Sequence, residues 1–111
     1  MLLLPNVWDV ASARVVEAAG FPALATTSAG VAFALGYPDG ERIARSEMAQ
    51  AVGRIAARVR VPVTADMEAG YGATPEAVAE TARAAIAAGA VGMNLEDAPP
   101  DGKGSLFDEP L

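Results

Sequence analysis

Asp66 and Glu68 stand two residues apart at the end of an apolar run, and Glu96-Asp97 close another such run 28 residues after Glu68. At a strand end that spacing puts both carboxylates on one side, provided the strand has not already broken into loop. With Glu96 from the neighbouring strand, three acids crowd one mouth. Like charges a few ångströms apart repel unless one is protonated or a cation lies between them. Mg²⁺ answers that repulsion, taking one or two carboxylates directly and filling its other positions with water and substrate oxygens. Read singly, each acid is a helix cap or a solvated loop residue. As a set ending successive strands they point to a site.

Other polar groups gather in the same places. Thr26-Thr27-Ser28-Ala29-Gly30 follows one apolar run, with Asp39 after a short loop, and Asn6-Val7-Trp8-Asp9 follows another. The small side chains at residues 27–30 let a ligand carboxylate approach backbone amides, and they equally suit a tight turn. Gly70-Tyr71-Gly72, running into Thr74-Pro75, offers backbone N–H groups to an anion at a helix N-terminus, or simply turns the chain. Trp8 reads as core or rim packing, and the arginines at 42, 45, 54, 58, 60 and 83 as solvated helix faces.

The alphabet of the chain narrows the chemistry further. There is no cysteine and no histidine among the 111 residues. Disulfides, thiolate nucleophiles and the commonest general base are therefore excluded, which leaves carboxylates, hydroxyls, cationic side chains and a hard cation with oxygen ligands. Hydrophobic residues make up 52% and charged residues 20%, the balance of a core-forming chain. Net charge is −6 and the eight Lys and Arg form no run, which argues against nucleic acid. Residues 1–4 with Ala11-Ser12-Ala13 mimic a signal peptide but lack its basic start, and Pro5 cuts the apolar run. Residues 18–38 carry no charge, yet three glycines, two prolines and Thr26-Thr27-Ser28 make them a poor membrane span. We expect a soluble cytoplasmic protein of one domain.

Those side chains need elements to hold them. A unit of Ala-rich helix, short turn and buried strand recurs three times. Helices are expected to end at residues 17–20, 57–60 and 87–89, and the strands that follow at 22–26, 61–65 and 91–95. Gly20 and Gly89 sit where a helix end needs a left-handed residue. Met48, Val52, Ile55 and Val59 share one face of the middle helix, whose cap is Ser46 or Asp39. Thr74-Pro75-Glu76 opens the last helix with a cap, a proline and an acid. The first helix starts near Asp9 and buries Val15, Val16 and Ala19, with residues 2–4 as the strand before it. The order is βαβαβαβ, and strands without polar alternation imply a parallel sheet covered by helices. Pattern alone fits either a small doubly wound domain or half of a (β/α)8 barrel.

The same strings resemble the isocitrate lyase and phosphoenolpyruvate mutase family. They are Pro5-Asn6-Val7-Trp8-Asp9 with Ala11-Ser12-Ala13, residues 26–30, Leu35-Gly36-Tyr37-Pro38-Asp39, residues 65–72 and residues 94–97. The specific element is acid-x-acid-x-Gly-Tyr-Gly followed by a Glu-Asp pair. The resemblance implies an α/β fold, a partial (β/α)8 TIM barrel of about four parallel strands and three crossover helices, with residues 1–111 as its N-terminal half. It implies a Mg²⁺-dependent lyase or phosphonomutase-like enzyme that handles a 2-oxo or 2-hydroxy carboxylic acid through a metal-stabilised enolate. By position, Asp66 would be the most direct metal ligand, Glu68 and Glu96 would hold the metal or its waters, and Asp39 would join that water network. Thr27, Ser28 and Ala29 would bind the substrate carboxylate, largely through backbone groups.

The chain also departs from the family. Glu68 stands where many members have Asp. The lyase members carry a Lys-x-Cys-Gly-His loop after strand four, whereas residues 98–109 contain neither Cys nor His, so that cysteine-dependent chemistry is not expected. Lys103 lies about one residue from the position of the loop lysine in phosphonate-cleaving members and reads as a solvated loop residue. Family barrels have eight strands and this pattern accounts for four. A four-strand arc has two open edges, so we expect a fragment or half-barrel that forms a homo-oligomer. The competing reading from another class is an inactive half-barrel that works through self-assembly; a doubly wound phosphate-binding domain, lacking any Gly-x-Gly-x-x-Gly, comes last.

Overall fold

The computed structural model describes residues 1–97. Lys103 and the loop at 98–109, both singled out above, lie outside the described residues.

Four parallel strands pair in chain order: β1 (Asn6–Val7), β2 (Leu24–Thr26), β3 (Val63–Asp66) and β4 (Gly92–Asn94). Every crossover therefore steps the same way along the sheet. A doubly wound domain reverses direction at a switch point; a barrel does not. The strand order thus decides what the sequence pattern left open, in favour of a partial barrel sheet. Among the described residues β1 and β4 form its edges.

The helices are α1 (Val10–Ala18), α2 (Ser28–Ala34), α3 (Arg45–Ala56) and α4 (Pro75–Ala87). Asp9 starts α1 with a capping box: its carboxylate accepts the Ser12 N–H at 2.7 Å, and Ser12 Oγ accepts the Asp9 N–H at 3.1 Å. Thr74 caps α4 by accepting the Ala77 N–H at 3.2 Å, with Pro75 in the first turn as expected. Gly20 and Gly89 close α1 and α4 with φ of +92° and +96°.

Four expectations need correcting. Residues 2–4 are exposed and unpaired with the sheet; the ladder begins where Pro5 O accepts the Ala25 N–H at 3.1 Å. The apolar run was the stronger sequence signal, but the pairing falls on Asn6 and Val7. In α1 it is Ala13 that is fully buried, while Val15 is 70% exposed and Ala19 also faces solvent. The cap of α3 is neither Ser46 nor Asp39 but the backbone of Ala44, with no side-chain bond. Finally, α2 makes a fourth helix where a loop was expected, so the β2-to-β3 crossover contains two helices. Thr27 Oγ1 caps it weakly, accepting the Gly30 N–H at 3.4 Å. Close approach explains Gly30: a Cβ there would lie 2.6 Å from Thr27 Cγ2 and 3.0 Å from Trp8 Cβ.

Two apolar clusters hold the layers together. Met48, Ala51 and Val52 of α3 pack with Ala65, Met67 and Ala85 between sheet and helices. Ile55 joins Val7, Ala13, Leu24 and Val63, with Val59 packed against them from beyond the helix end. The predicted apolar face of α3 is therefore shared between two clusters.

Candidate functional site

Alternation along β3 decides what Asp66 does. Val63 and Ala65 are buried towards the helices, so Thr64 and Asp66 project from the other face. The Asp66 N–H donates to Thr26 Oγ1 at 2.9 Å, which fixes the strand end against β2. Its carboxylate is held on both oxygens. Oδ2 accepts from the Ser28 N–H at 2.9 Å and from Ser28 Oγ at 2.7 Å, and Oδ1 accepts the Glu68 N–H at 3.2 Å. These bonds to an ionised acceptor orient Asp66 at the carboxyl end of the sheet.

Glu68 reaches the same place by another route. β3 ends at Asp66, so the two-residue spacing does not put both acids on one strand face. Instead Glu68 adopts a left-handed backbone, with φ of +52°. Its carbonyl accepts the Glu96 N–H at 2.7 Å, and the Met67 N–H donates to Asn94 O at 3.2 Å, so the two loops advance together. The Glu68 residue is only 3% exposed, and its Oε1 has no hydrogen-bond partner among the described residues. Burial pushes its pKa up to about 7; the N–H of Glu41 opposes this, and the charges of Glu41, Asp39 and Glu96 add to it. Glu96 is exposed, yet desolvation and the charges of Asp66 and Asp39 also raise its pKa. Asp39 lies exposed on the α2–α3 loop, where its Oδ1 accepts the Gly40 N–H. Asp39 and Glu96 thus bear on Glu68, and Asp39 and Asp66 bear on Glu96.

Of the expected carboxylate-binding trio, Thr27 and Ser28 are engaged within the protein. The Thr27 N–H donates to Val7 O at 3.1 Å, and both Ser28 donors serve Asp66. Ala29 lies in the first turn of α2, where backbone N–H groups lack intrahelical acceptors.

Sequence reasoning did not single out Glu41, and read Tyr71 only as part of a turn, not for its side chain. Burial raises the pKa of the Glu41 carboxyl, opposed by the backbone N–H groups of Tyr71 and Ala69 and helped to a smaller extent by the charge of Glu96. The Tyr71 hydroxyl is pushed up by burial and by Glu68, Glu41 and Asp66. The available signal was the Asp39-Gly40 turn, which delivers the following acid to the rim. Behind this cluster, fully buried Thr81 of α4 donates through Oγ1 to Gly70 O at 2.6 Å. Thr81→Val should cost about 1–3 kcal/mol by leaving that carbonyl unpaired, measured as a lower urea midpoint. An unchanged midpoint would show that the turn does not depend on α4.

Among the described residues no three acidic side chains stand close enough to ligate one ion. The donor chemistry nevertheless fits Mg²⁺. It is made of oxygens only, it is net negative, and it contains the orphaned, buried Glu68 Oε1. Mg²⁺ binds through one or two carboxylates and keeps several waters, so a closed three-carboxylate cage is not required.

A singly wound parallel sheet with acidic residues following the carboxyl ends of its strands defines a barrel-type α/β fold. The phosphoenolpyruvate phosphomutase family model matches residues 1–110, and the chain belongs to that family. It is 35% identical over 97 residues to 2-methylisocitrate lyase of Aeropyrum pernix, covering 87% of this chain and 31% of that one. A solved structure from Burkholderia cenocepacia J2315, provisionally described as a phosphonomutase, is 52% identical with a TM-score of 0.90. That match covers 95% of this chain and 42% of the other. Oxaloacetate acetylhydrolase in complex with its product oxalate is 33% identical with a TM-score of 0.86, over 96% of this chain and 38% of that one. Relatives named for an activity include lyases and a decarboxylase of small carboxylates, a phosphonomutase and an acetylhydrolase, and the chain spans about a third of the length of the curated relatives it matches. No helix among the described residues is long and apolar enough to cross a membrane.

Proposed function

We propose that this chain supplies the cation-binding rim of a Mg²⁺-dependent lyase or phosphonomutase-like enzyme acting on a 2-oxo or 2-hydroxy carboxylic acid. The observation that carries this reading is the buried Glu68 carboxylate, orphaned at Oε1 and surrounded by Glu41, Asp39 and Glu96. Asp66, oriented by Ser28, is the direct ligand group; Glu68 and Glu96 hold the ion or its waters, and Asp39 extends the water network. Thr27, Ser28 and Ala29 place the start of α2 beside the substrate carboxylate. Bound there, Mg²⁺ supplies Lewis-acid stabilisation to an enolate formed as a carbon–carbon or carbon–phosphorus bond breaks. Family membership and kinship to enzymes of small carboxylates support the substrate class.

Oxalate, a planar dianion with the shape of a small enolate, is the probe. Titration calorimetry should show oxalate binding in the presence of Mg²⁺ and none in EDTA. Equal binding in both would sink the reading. A second reading, self-assembly without catalysis, draws on the edge at β4: Val91 is 73% and Ile86 71% exposed among the described residues. It predicts no metal-dependent oxalate binding, so the same titration separates the two.

A further inference from the structure

Two independent kinds of irregularity fall on the same three residues. Glu41, Glu68 and Tyr71 are the non-glycine residues with left-handed backbone among those described, at φ of 57°, 52° and 59°. They are also the residues there whose side chains carry a buried oxygen with no hydrogen-bond partner: Glu41 Oε2, Glu68 Oε1 and Tyr71 OH. Strained backbone and orphaned polar atoms each persist only where something compensates, and unplaced ions or waters are the usual reason for the second.

The three belong to two loops that face each other. The Glu41 N–H lies near enough to the Glu68 carboxyl to favour its charged form, and the N–H groups of Tyr71 and Ala69 do the same for the Glu41 carboxyl. A loop clasp alone would explain that approach. It would not explain two carboxylates in electrostatic contact with an oxygen left over on each, since a glutamine at either position would clasp without the repulsion. Water would satisfy the orphaned atoms but not the charge, and a proton on one carboxyl removes the charge only until the pH rises past its pKa. A hard divalent cation does both.

We propose that Glu41 is a further carboxylate of the cation site, offering Oε2 to the ion or to its bound water together with Glu68 Oε1 and the Tyr71 hydroxyl. The inference rests on the Mg²⁺ reading above and extends it to the α2–α3 loop, from which the sequence suggested only Asp39. Glu41 is then a ligand of the metal shell and not merely a spacer between loops.

The test is a thermal-shift titration with MgCl₂ at pH 8 on the EDTA-treated chain, comparing wild type, Glu41→Gln, Glu41→Asp and Asp66→Asn. Glu41→Gln keeps the shape and removes the charge. Its metal-free melting temperature should rise above that of wild type, while its Mg²⁺ affinity should fall about tenfold or more, the usual effect of losing a partner around a metal. Glu41→Asp keeps the charge but withdraws it, so it should weaken Mg²⁺ binding without raising the metal-free melting temperature. That variant also keeps the test open should the glutamine variant fail to fold. Unchanged Mg²⁺ affinity in both Glu41 variants, or a lower metal-free melting temperature in Glu41→Gln, overturns the proposal and leaves Glu41 a clasp. If wild type responds and Asp66→Asn does not, that failure belongs to Glu41 alone. No response in wild type removes both this inference and the functional reading beneath it.

Discussion

Asp66→Ala should abolish the rise in melting temperature that Mg²⁺ gives the wild-type chain, and should also lower metal-free stability by about 2–4 kcal/mol. Both effects come from one carboxylate. Asp66 accepts from the Ser28 N–H, from Ser28 Oγ and from the Glu68 N–H. Hydrogen bonds to a charged acceptor contribute about 1.5–3 kcal/mol each and are not additive, and truncation strands partly buried donors. Against a typical total of about 5–15 kcal/mol that is a large share. Asp66→Asn separates the roles. It retains one acceptor oxygen and most of the shape, so its stability loss should be smaller while its Mg²⁺ response vanishes as completely. Calorimetric melting with and without the ion checks both. Equal shifts in wild type and Asp66→Asn would remove Asp66 from the site.

The metal-free chain should become less stable as pH rises from 5 to 8. Folded Glu68 keeps its proton up to about pH 7, whereas in the unfolded chain it gives that proton up near its ordinary 4.5. Between those values the folded state binds the extra proton, so stability falls with rising pH. The contribution is fully present below 4.5 and is lost as pH passes through about 7. It amounts to on the order of 3 kcal/mol. The raised carboxyls of Glu41 and Glu96 act in the same direction. Glu68→Gln should flatten the profile, and saturating Mg²⁺ should flatten that of wild type, because the ion replaces the proton in screening the acids. Urea midpoints at half-unit pH intervals measure this. A wild-type profile that is flat, or one that Glu68→Gln leaves unchanged, would contradict the buried-carboxyl account.

What the sequence made legible was whatever rests on local chemistry or simple periodicity. Thr74-Pro75 marks a helix start through backbone geometry, Gly20 and Gly89 mark helix ends by conformations that other residues resist, and Met48, Val52 and Ile55 report a buried face. The acids at 39, 66, 68 and 96 were picked out because groups at or just after the ends of parallel strands gather at one rim. Features that depend on longer-range partners were not legible. The α2 helix is seven residues of small and apolar side chains with a distant cap bond, indistinguishable in sequence from a loop. Residues 2–4 have the composition of a strand, but the register places Asn6 and Val7 against β2. Glu68 was assigned to the site on strand alternation, which does not extend that far; the turn puts it there. Glu41 was missed because nothing in Gly40-Glu41-Arg42 announces a left-handed glutamate. The open ends of the pattern gave no strand order either, and that order is what separates a barrel sheet from a doubly wound one.

The left-handed backbone at 41, 68 and 71 has a bearing on how these positions drift over generations. At each of them glycine would relieve about 1–2 kcal/mol of steric conflict between Cβ and the following carbonyl. Random substitution under selection for folding alone would therefore carry all three towards glycine, as the neighbouring left-handed positions 40 and 70 already are. Two glutamates and a tyrosine at these positions carry a steric cost that a use for their side chains would offset.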